Sequence, residues 1–214
     1  MAEKLSRGFF LVLEGLDGSG KSTAAEKFRT ILSKKNIAVE LLREPTEKTD
    51  ASREIRKILK THQAISDATN QTLLDLFRID RHWDIERLIK PALQRRCVVI
   101  LDRYFYSTAA YQGRQASEVE SILAGYMNDD KILTPDAILY FDLPLKLISE
   151  RLSDRSEKEV YETESRLKKI GGHYAQVMQS VRQQKSPPAI YTCDHPYNEY
   201  EYETVLSDIL QHGN

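Results

Sequence analysis

The sequence predicts an α/β fold, one doubly wound parallel sheet with helices on both faces. Three observations carry this expectation: short apolar runs recur along the 214 residues, helix-period segments lie between them, and the first run ends in a glycine-rich turn. The runs are continuous rather than alternating, which marks strands covered on both sides.

The elements follow in order. Gly8–Glu14, reading GFFLVLE, is the first strand. Lys21–Lys35 places Ala24, Ala25, Phe28, Ile31 and Leu32 on one stripe, the 3.6-residue pattern of a helix lying on a sheet. Ala38–Leu42 is the second strand, and Ser52–Lys60 and Ala68–Leu93 are helical in period. Cys97–Leu101 is the third strand, Ser117–Met127 a helix, and Ala137–Phe141 the fourth strand. Helices over Leu145–Leu152 and Val160–Val181 lead to a weaker strand at Ala189–Cys193 and a last helix over Tyr202–Leu210. Such alternation implies right-handed crossovers. There is no internal repeat, and Ser186-Pro-Pro188 is only a short break, so residues 1–214 are expected to form a single domain.

Composition narrows the function classes. Lys plus Arg number 31 against 32 Asp plus Glu, a net charge of -1, so no global field draws the chain to nucleic acid or to a membrane surface. Any anionic ligand must be recognised locally. With 41% hydrophobic and 29% charged residues, collagen-like, low-complexity and disordered classes are excluded. Cys97 and Cys193 lack the spacing of a disulfide framework or a zinc site, which fits a reducing, cytoplasmic setting. Apolar runs are far short of the ~20 residues of a spanning helix, and Met1–Gly8 has no signal-peptide core, so the expectation is a soluble protein that is not exported.

Gly15-Leu-Asp-Gly-Ser-Gly-Lys21-Ser22 matches GxxxxGK[ST] between a buried strand and an amphipathic helix. A chance glycine turn of this pattern is expected on the order of once per hundred such chains, before that context is required. The glycines let the backbone wrap around anionic oxygens, N–H groups and the helix dipole point at phosphate, Lys21 adds a point charge, and the Ser22 hydroxyl can ligate Mg²⁺. This loop alone does not separate ATPases, GTPases and small-molecule kinases. A guanine-reading NKxD stretch is absent.

Two further constellations point to a second, anionic and aromatic ligand at the C-terminal strand ends, where open α/β sheets bind. Asp102-Arg103-Tyr104 follows the run CVVIL, which sets Asp102 opposite the phosphate loop as the acidic partner of Ser22, with Arg103 able to fork onto a phosphate. Phe77 and Arg81 stand four apart on one helix face, so a base could stack on the ring while the guanidinium reaches its edge, but by itself this spacing is also the everyday pattern of a buried Phe beside a surface Arg, the reading that would normally win.

Together, EGLDGSGKST (Glu14–Thr23), REP (Arg43–Pro45), FRIDR (Phe77–Arg81) and DRYFYSTAAYQG (Asp102–Gly113) closely resemble the thymidylate kinase family over nearly the whole chain. The resemblance implies a P-loop nucleoside-monophosphate kinase fold, a five-stranded parallel sheet flanked by helices with a lid at about residues 151–161, and transfer of the ATP γ-phosphoryl group to dTMP. It further implies that Gly15, Leu16, Asp17, Gly18, Ser19, Gly20, Lys21, Ser22 and Thr23 hold ATP, with Arg151 near adenine and Ser22 and Asp102 at Mg²⁺. Phe77 matches the position that stacks on thymine, Arg81 the one at its O4 edge, Thr108 and Gln112 the polar lining of the base, and Tyr111 the aromatic against the ribose 2′ position. Asp17 corresponds to the loop acid near the 3′-hydroxyl, and Arg43, Arg56 and Arg103 to positions around the dTMP phosphate, with Glu44 beside them and Pro45 after an unusual, cis, peptide bond.

The loop interior carries no arginine, so the resemblance assigns Arg155 in the lid to the transferring phosphoryl group, next to Lys21 and Arg103, with Lys158 a lesser candidate. Homodimers are common in the family, and Ala68–Leu93 is the expected contact. Neither nucleic acid nor membrane is an expected partner. The chain departs from the family pattern at Tyr106, which either narrows the acceptor pocket or packs, and at Arg78. These departures keep open a related kinase with another acceptor, and intact Lys21, Asp102 and Arg155 weigh against a nucleotide-binding module without catalysis.

Overall fold

The computed structural model describes residues 5–61, 65–153, 163–195 and 199–212. In chain order the elements are β1 (Phe9–Gly15), α1 (Lys21–Lys34), β2 (Val39–Arg43), α2 (Asp50–Thr61), α3 (Asp67–Asp84), α4 (Lys90–Gln94), β3 (Val98–Asp102), α5 (Phe105–Gln112), α6 (Ala116–Met127), β4 (Ala137–Phe141), α7 (Leu145–Ser153), α8 (Glu164–Arg182), β5 (Ala189–Cys193) and α9 (Glu199–His212). The five strands form one parallel sheet in the order β2-β3-β1-β4-β5. All residues of β1, β3 and β4 are buried, while β2 and β5 at the edges are only half covered.

Strand alternation divides the core between two layers. Phe10 and Val12 of β1 join Val99 and Leu101 of β3 in a cluster with α5, α6 and α8, whereas Phe9, Leu11 and Leu13 face Phe28 and Leu32 of α1 and Val205 and Ile209 of α9. Leu13 and Arg43 both pair with Asp102, and Gly15 pairs with Phe141, so the strands end at one level. That shared edge collects Glu14, Gly15, Arg43, Glu44, Asp102 and Arg103 at one face of the sheet, where parallel α/β sheets place their ligands.

Every expected strand and helix appears, with shifts of a few residues at the ends. The helix expected over Ala68–Leu93 is interrupted: α3 passes through a π-helical turn at Ile85–Ile89 before α4. Pro91 accounts for the break, since it lacks an N–H and its ring would meet the carbonyl four residues back in a regular helix. The helix expected from Val160 is described from Glu164 onward, with residues 160–162 lying outside the described ones. Helix α5 was not legible as a helix because seven of its eight residues are buried, which erases the polar face that periodicity needs. Cys97 and Cys193 are buried thiols. No helix among the described residues is long and apolar enough to cross a membrane.

Candidate active site

Between β1 and α1 the chain turns through Gly18 at φ 78° and Gly20 at φ 101°, left-handed conformations that side chains resist. The turn brings the Lys21 ammonium back onto its own loop, where Nζ donates to the Gly15 and Leu16 carbonyls at 3.0 and 2.8 Å. Burial lowers the Lys21 pKa to about 8, assisted by the Arg103 charge and opposed by Asp17, Asp102 and Glu14. Ser22 Oγ donates to Asp102 Oδ2 at 3.0 Å, joining the first turn of α1 to the end of β3. Asp102 Oδ1 and Ser19 Oγ are buried without a hydrogen-bond partner among the described residues.

These groups border a cavity of about 450 Å³ lined by residues 17–23, Asp102, Arg151, Phe141, His195 and Tyr202 among others. Arg151 reaches over the loop from α7 and donates to the Gly18 carbonyl at 3.0 Å. Gly15 and Leu16, expected with the rest of the loop, do not line this cavity. Gly15 ends β1 with its carbonyl on Lys21, and Leu16 is buried in the core.

A second cavity, of about 400 Å³, is lined by all eleven residues expected around the acceptor: Asp17, Arg43, Glu44, Pro45, Arg56, Phe77, Arg81, Arg103, Thr108, Tyr111 and Gln112. Asp17, Arg43 and Arg103 line both cavities and so form the seam between them. Tyr106 and Arg78 line neither: Tyr106 packs against Phe105 in the core, and Arg78 lies over the Tyr126 ring.

At the seam, Arg103 holds a left-handed backbone at φ 75°, rare for a side chain of this size. Its Nη2 donates to Asp17 Oδ1 at 2.7 Å and to the Tyr111 hydroxyl at 3.1 Å, while Nη1 donates to Ser107 Oγ at 3.1 Å and the Tyr174 hydroxyl at 3.0 Å. Tyr111 donates to Asp17 Oδ2 at 3.0 Å. Burial by itself would raise the Asp17 carboxyl, but Arg103 and Lys21 outweigh it and hold the group well below the usual carboxylate range.

Beneath Arg103 sits Glu14, fully buried at the end of β1. It accepts from the Tyr104 backbone N–H at 2.8 Å, from Ser107 Oγ at 2.6 Å and from the Tyr174 hydroxyl at 3.0 Å, so one carboxylate anchors both the start of α5 and the hydroxyls that orient Arg103. Sequence reasoning missed Glu14, Ser107 and Tyr174 as parts of the site. The available signal was a charge at the end of an otherwise apolar strand.

Arg81 is buried in the far wall, where Nε and Nη2 donate to Glu44 Oε2 at 2.8 and 2.5 Å and Nη2 also to Thr108 Oγ1 at 3.0 Å. Burial raises Glu44 to about 7, with Arg81 opposing. The Glu44–Pro45 peptide is cis. Arg56 donates to the carbonyls of Pro45 and Thr46. Asp80, also missed, ties the same segment to α3 by accepting from Thr46 N at 2.7 Å, Thr46 Oγ1 at 2.6 Å and Thr49 Oγ1 at 2.5 Å. Phe77 is half-buried in the same cavity wall, one helical turn before Arg81. Arg155 and Lys158 lie outside the described residues.

Comparison with known proteins gives one consistent result. The family profile described as thymidylate kinase matches residues 13–186, more than half of the chain. A thymidylate kinase of Akkermansia muciniphila is 33% identical over 171 residues, 80% of each chain. A probable thymidylate kinase of Thermococcus gammatolerans is 37% identical over 160 residues, 72% of this chain and 75% of that one. Among solved structures, the thymidylate kinase of Candida albicans superposes with a TM-score of 0.73 at 26% identity, covering 96% of this chain and 92% of that one.

Proposed function

The chain belongs to the thymidylate kinase family, phosphotransferases that act on dTMP, and from that premise we propose that it transfers the γ-phosphoryl group of ATP to dTMP, giving dTDP and ADP. The observation that carries this reading is the seam: Asp17, Arg43 and Arg103 border both cavities, so phosphates entering from either side meet at the same charged wall.

ATP takes the cavity of the phosphate loop, with residues 17–23 around its phosphates and Arg151 toward adenine. In the second cavity dTMP stacks its base on Phe77, presents O4 to Arg81, and meets Thr108 and Gln112 around the base and Tyr111 at the 2′ position. Its phosphate lies among Arg43, Arg56 and Arg103, with Glu44 and Pro45 shaping the wall and Asp17 near the 3′-hydroxyl. Phosphoryl transfer between two anions is mostly positioning and charge neutralisation. Lys21 leaves its loop carbonyls for the ATP phosphates, and Arg103 fixes the acceptor phosphate in line. No strong general base is needed, because the acceptor oxygen already belongs to an anion.

Mg²⁺ fits the residues present. Asp102 Oδ1 is buried without a partner among the described residues, beside the Ser22 hydroxyl, and two oxygens of this kind suit a cation that keeps most of its water. Bound there, the ion neutralises charge on the ATP phosphates. Arg155 supplies the remaining cation from the lid at about residues 151–161, Lys158 being the lesser candidate. The reading extends to residues 1–214 as a single kinase domain, to a cytoplasmic homodimer in contact through residues 68–93, and to neither nucleic acid nor membrane as a partner.

The test is an ADP-release assay with ATP and Mg²⁺, comparing dTMP with dUMP, dCMP, dGMP and thymidine. The expected result is turnover concentrated on dTMP. A panel is needed because the Candida albicans enzyme is described as having broad substrate specificity. Absence of dTDP would overturn the reading, and preference for another acceptor would retain the phosphate loop while reassigning the second cavity.

A further inference from the structure

In the wall of the second cavity, the Arg81 guanidinium is paired with one carboxylate, while two further buried acids stand on the same helix. Glu44, just past the end of β2, takes Nε and Nη2. Asp80, one residue before Arg81, accepts from three donors, the pattern of a carboxylate. Asp84, one turn further along α3, is fully buried, and neither of its oxygens has a hydrogen-bond partner among the described residues. Glu44 Oε1, Arg81 Nη1 and the Tyr126 hydroxyl are likewise buried and unpartnered there. The Tyr104 and Tyr126 rings cover the guanidinium at 5.4 and 4.7 Å, which keeps water from its faces. His82, next in sequence, points to Asp129 instead, at 2.8 Å.

A carboxylate in such a place is costly, because it has neither donors nor water. Of the three acids, Asp80 has three donors and Glu44 is paired with Arg81 through one oxygen, which leaves Asp84 as the one with no donor on either oxygen among the described residues. A proton on Asp84 removes the excess charge. Burial, with Glu44 and Asp80 nearby, pushes the Asp84 carboxyl up to about 8 against the pull of Arg81.

We propose that Asp84 is a positioning residue for Arg81 that works as the neutral acid: in that form it leaves the guanidinium with Glu44 and Thr108 in the acceptor wall, and as an anion it competes for Nη1 and draws the guanidinium away. This role rests on the reading of the second cavity as the dTMP site. It makes acceptor affinity sensitive to mildly alkaline pH through a residue that does not touch the acceptor.

The experiment is isothermal titration of the full chain with dTMP, without ATP, at pH 7 and pH 9, for wild type and D84N. If only the acid form holds Arg81 in place, wild-type affinity falls on the order of tenfold between the two pH values, in proportion to the protonated fraction. D84N, which keeps the shape of the neutral acid permanently, binds without that fall. Ionisation of dTMP itself is common to both titrations and cancels in the comparison. An equal fall in D84N overturns the proposal. Infrared spectroscopy reads the proton directly: the protonated-carboxyl signal lost between pH 7 and pH 9 is expected to be smaller by one group in D84N than in wild type, the part common to both proteins belonging to Glu44. A wild-type signal at pH 7 no larger than the half-protonated Glu44 supplies overturns the proposal even should D84N not fold. Failure of wild-type protein to bind dTMP at pH 7 overturns the site assignment and this role with it.

Discussion

Asp17 and Arg103 form a 2.7 Å ion pair across 86 residues of sequence, in the wall that the two cavities share. The pair joins the phosphate loop to the end of β3 and offsets the left-handed backbone that Arg103 must adopt. Asp17→Asn is expected to lower kcat/KM for dTMP by about 10-fold to 100-fold while ATP affinity changes less, a loss of roughly 1.4–2.7 kcal/mol at the transition state. The folded-state pKa of Asp17 is below its unfolded value, so its stabilising contribution is present above the ordinary carboxylate range and lost as pH falls through it and below. Urea denaturation should therefore show a wild-type advantage over D17N that is constant above about pH 5 and shrinks as the pH falls below about 4. A gap that does not depend on pH would dissociate stability from this charge pair.

Lys21 titrates near the working range in the ligand-free protein, at about 8. Phosphate anions in the first cavity favour its charged form, so ATP binding at pH 8 is expected to take up as much as about half a proton. Calorimetry in buffers of different ionisation enthalpy measures this uptake, and K21M should lack it as well as losing ~10²-fold or more in kcat. Equal proton uptake in both proteins would place the titrating group elsewhere.

Asp102 lines the first cavity, accepts from Ser22 with one oxygen, and has its other oxygen buried without a partner among the described residues. Asp102→Asn keeps the hydrogen bond to Ser22 available but removes the charge, and the Mg²⁺ concentration for half-maximal rate should rise about 10-fold. Titration of Mg²⁺ at saturating ATP and dTMP checks this, and an unchanged Mg²⁺ requirement would remove Asp102 from the metal site.

Arg155→Ala is expected to lower kcat by ~10² or more with a smaller effect on dTMP affinity, since the group acts mainly in the transition state. Steady-state kinetics on both substrates decides it. A near-normal kcat would move the role to Arg151 or Lys158.

Gly113 joins α5 to α6 next to Gln112 of the second cavity. A Cβ there would sit 2.4 Å from Val119 Cγ2 and 2.9 Å from the Ala109 carbonyl oxygen. Gly113→Ala should destabilise the fold by about 1–3 kcal/mol, lowering Tm by roughly 2–4 °C per kcal/mol. An unchanged melting curve would show that this joint has slack.

The sequence was most informative where chemistry is local. The apolar run of β1, the glycines of the loop and the four-residue spacing of Phe77 and Arg81 each encode their geometry within a few residues. For that reason the strands, the phosphate loop and the grouping of residues around the second cavity were legible, the last with the help of the family resemblance. Helix α5 was not, because its burial on nearly all sides leaves no periodic signal. The π-helical turn was hidden inside a continuous helical pattern, with Pro91 as its only mark.

By itself, then, the sequence determined the α/β class, the strand order in the chain, and which residues carry charge, aromatic faces and conformational freedom. Only the tertiary structure decided which charges meet. Glu14 lies under Arg103, Asp80 holds the Thr46 segment, Asp84 is buried without compensation beside Arg81, and Tyr106 packs rather than lining the cavity. The physical reason is that protonation state and hydrogen bonding depend on burial and on partners tens of residues away. Those are set when the sheet aligns its strand ends, and no local pattern records them.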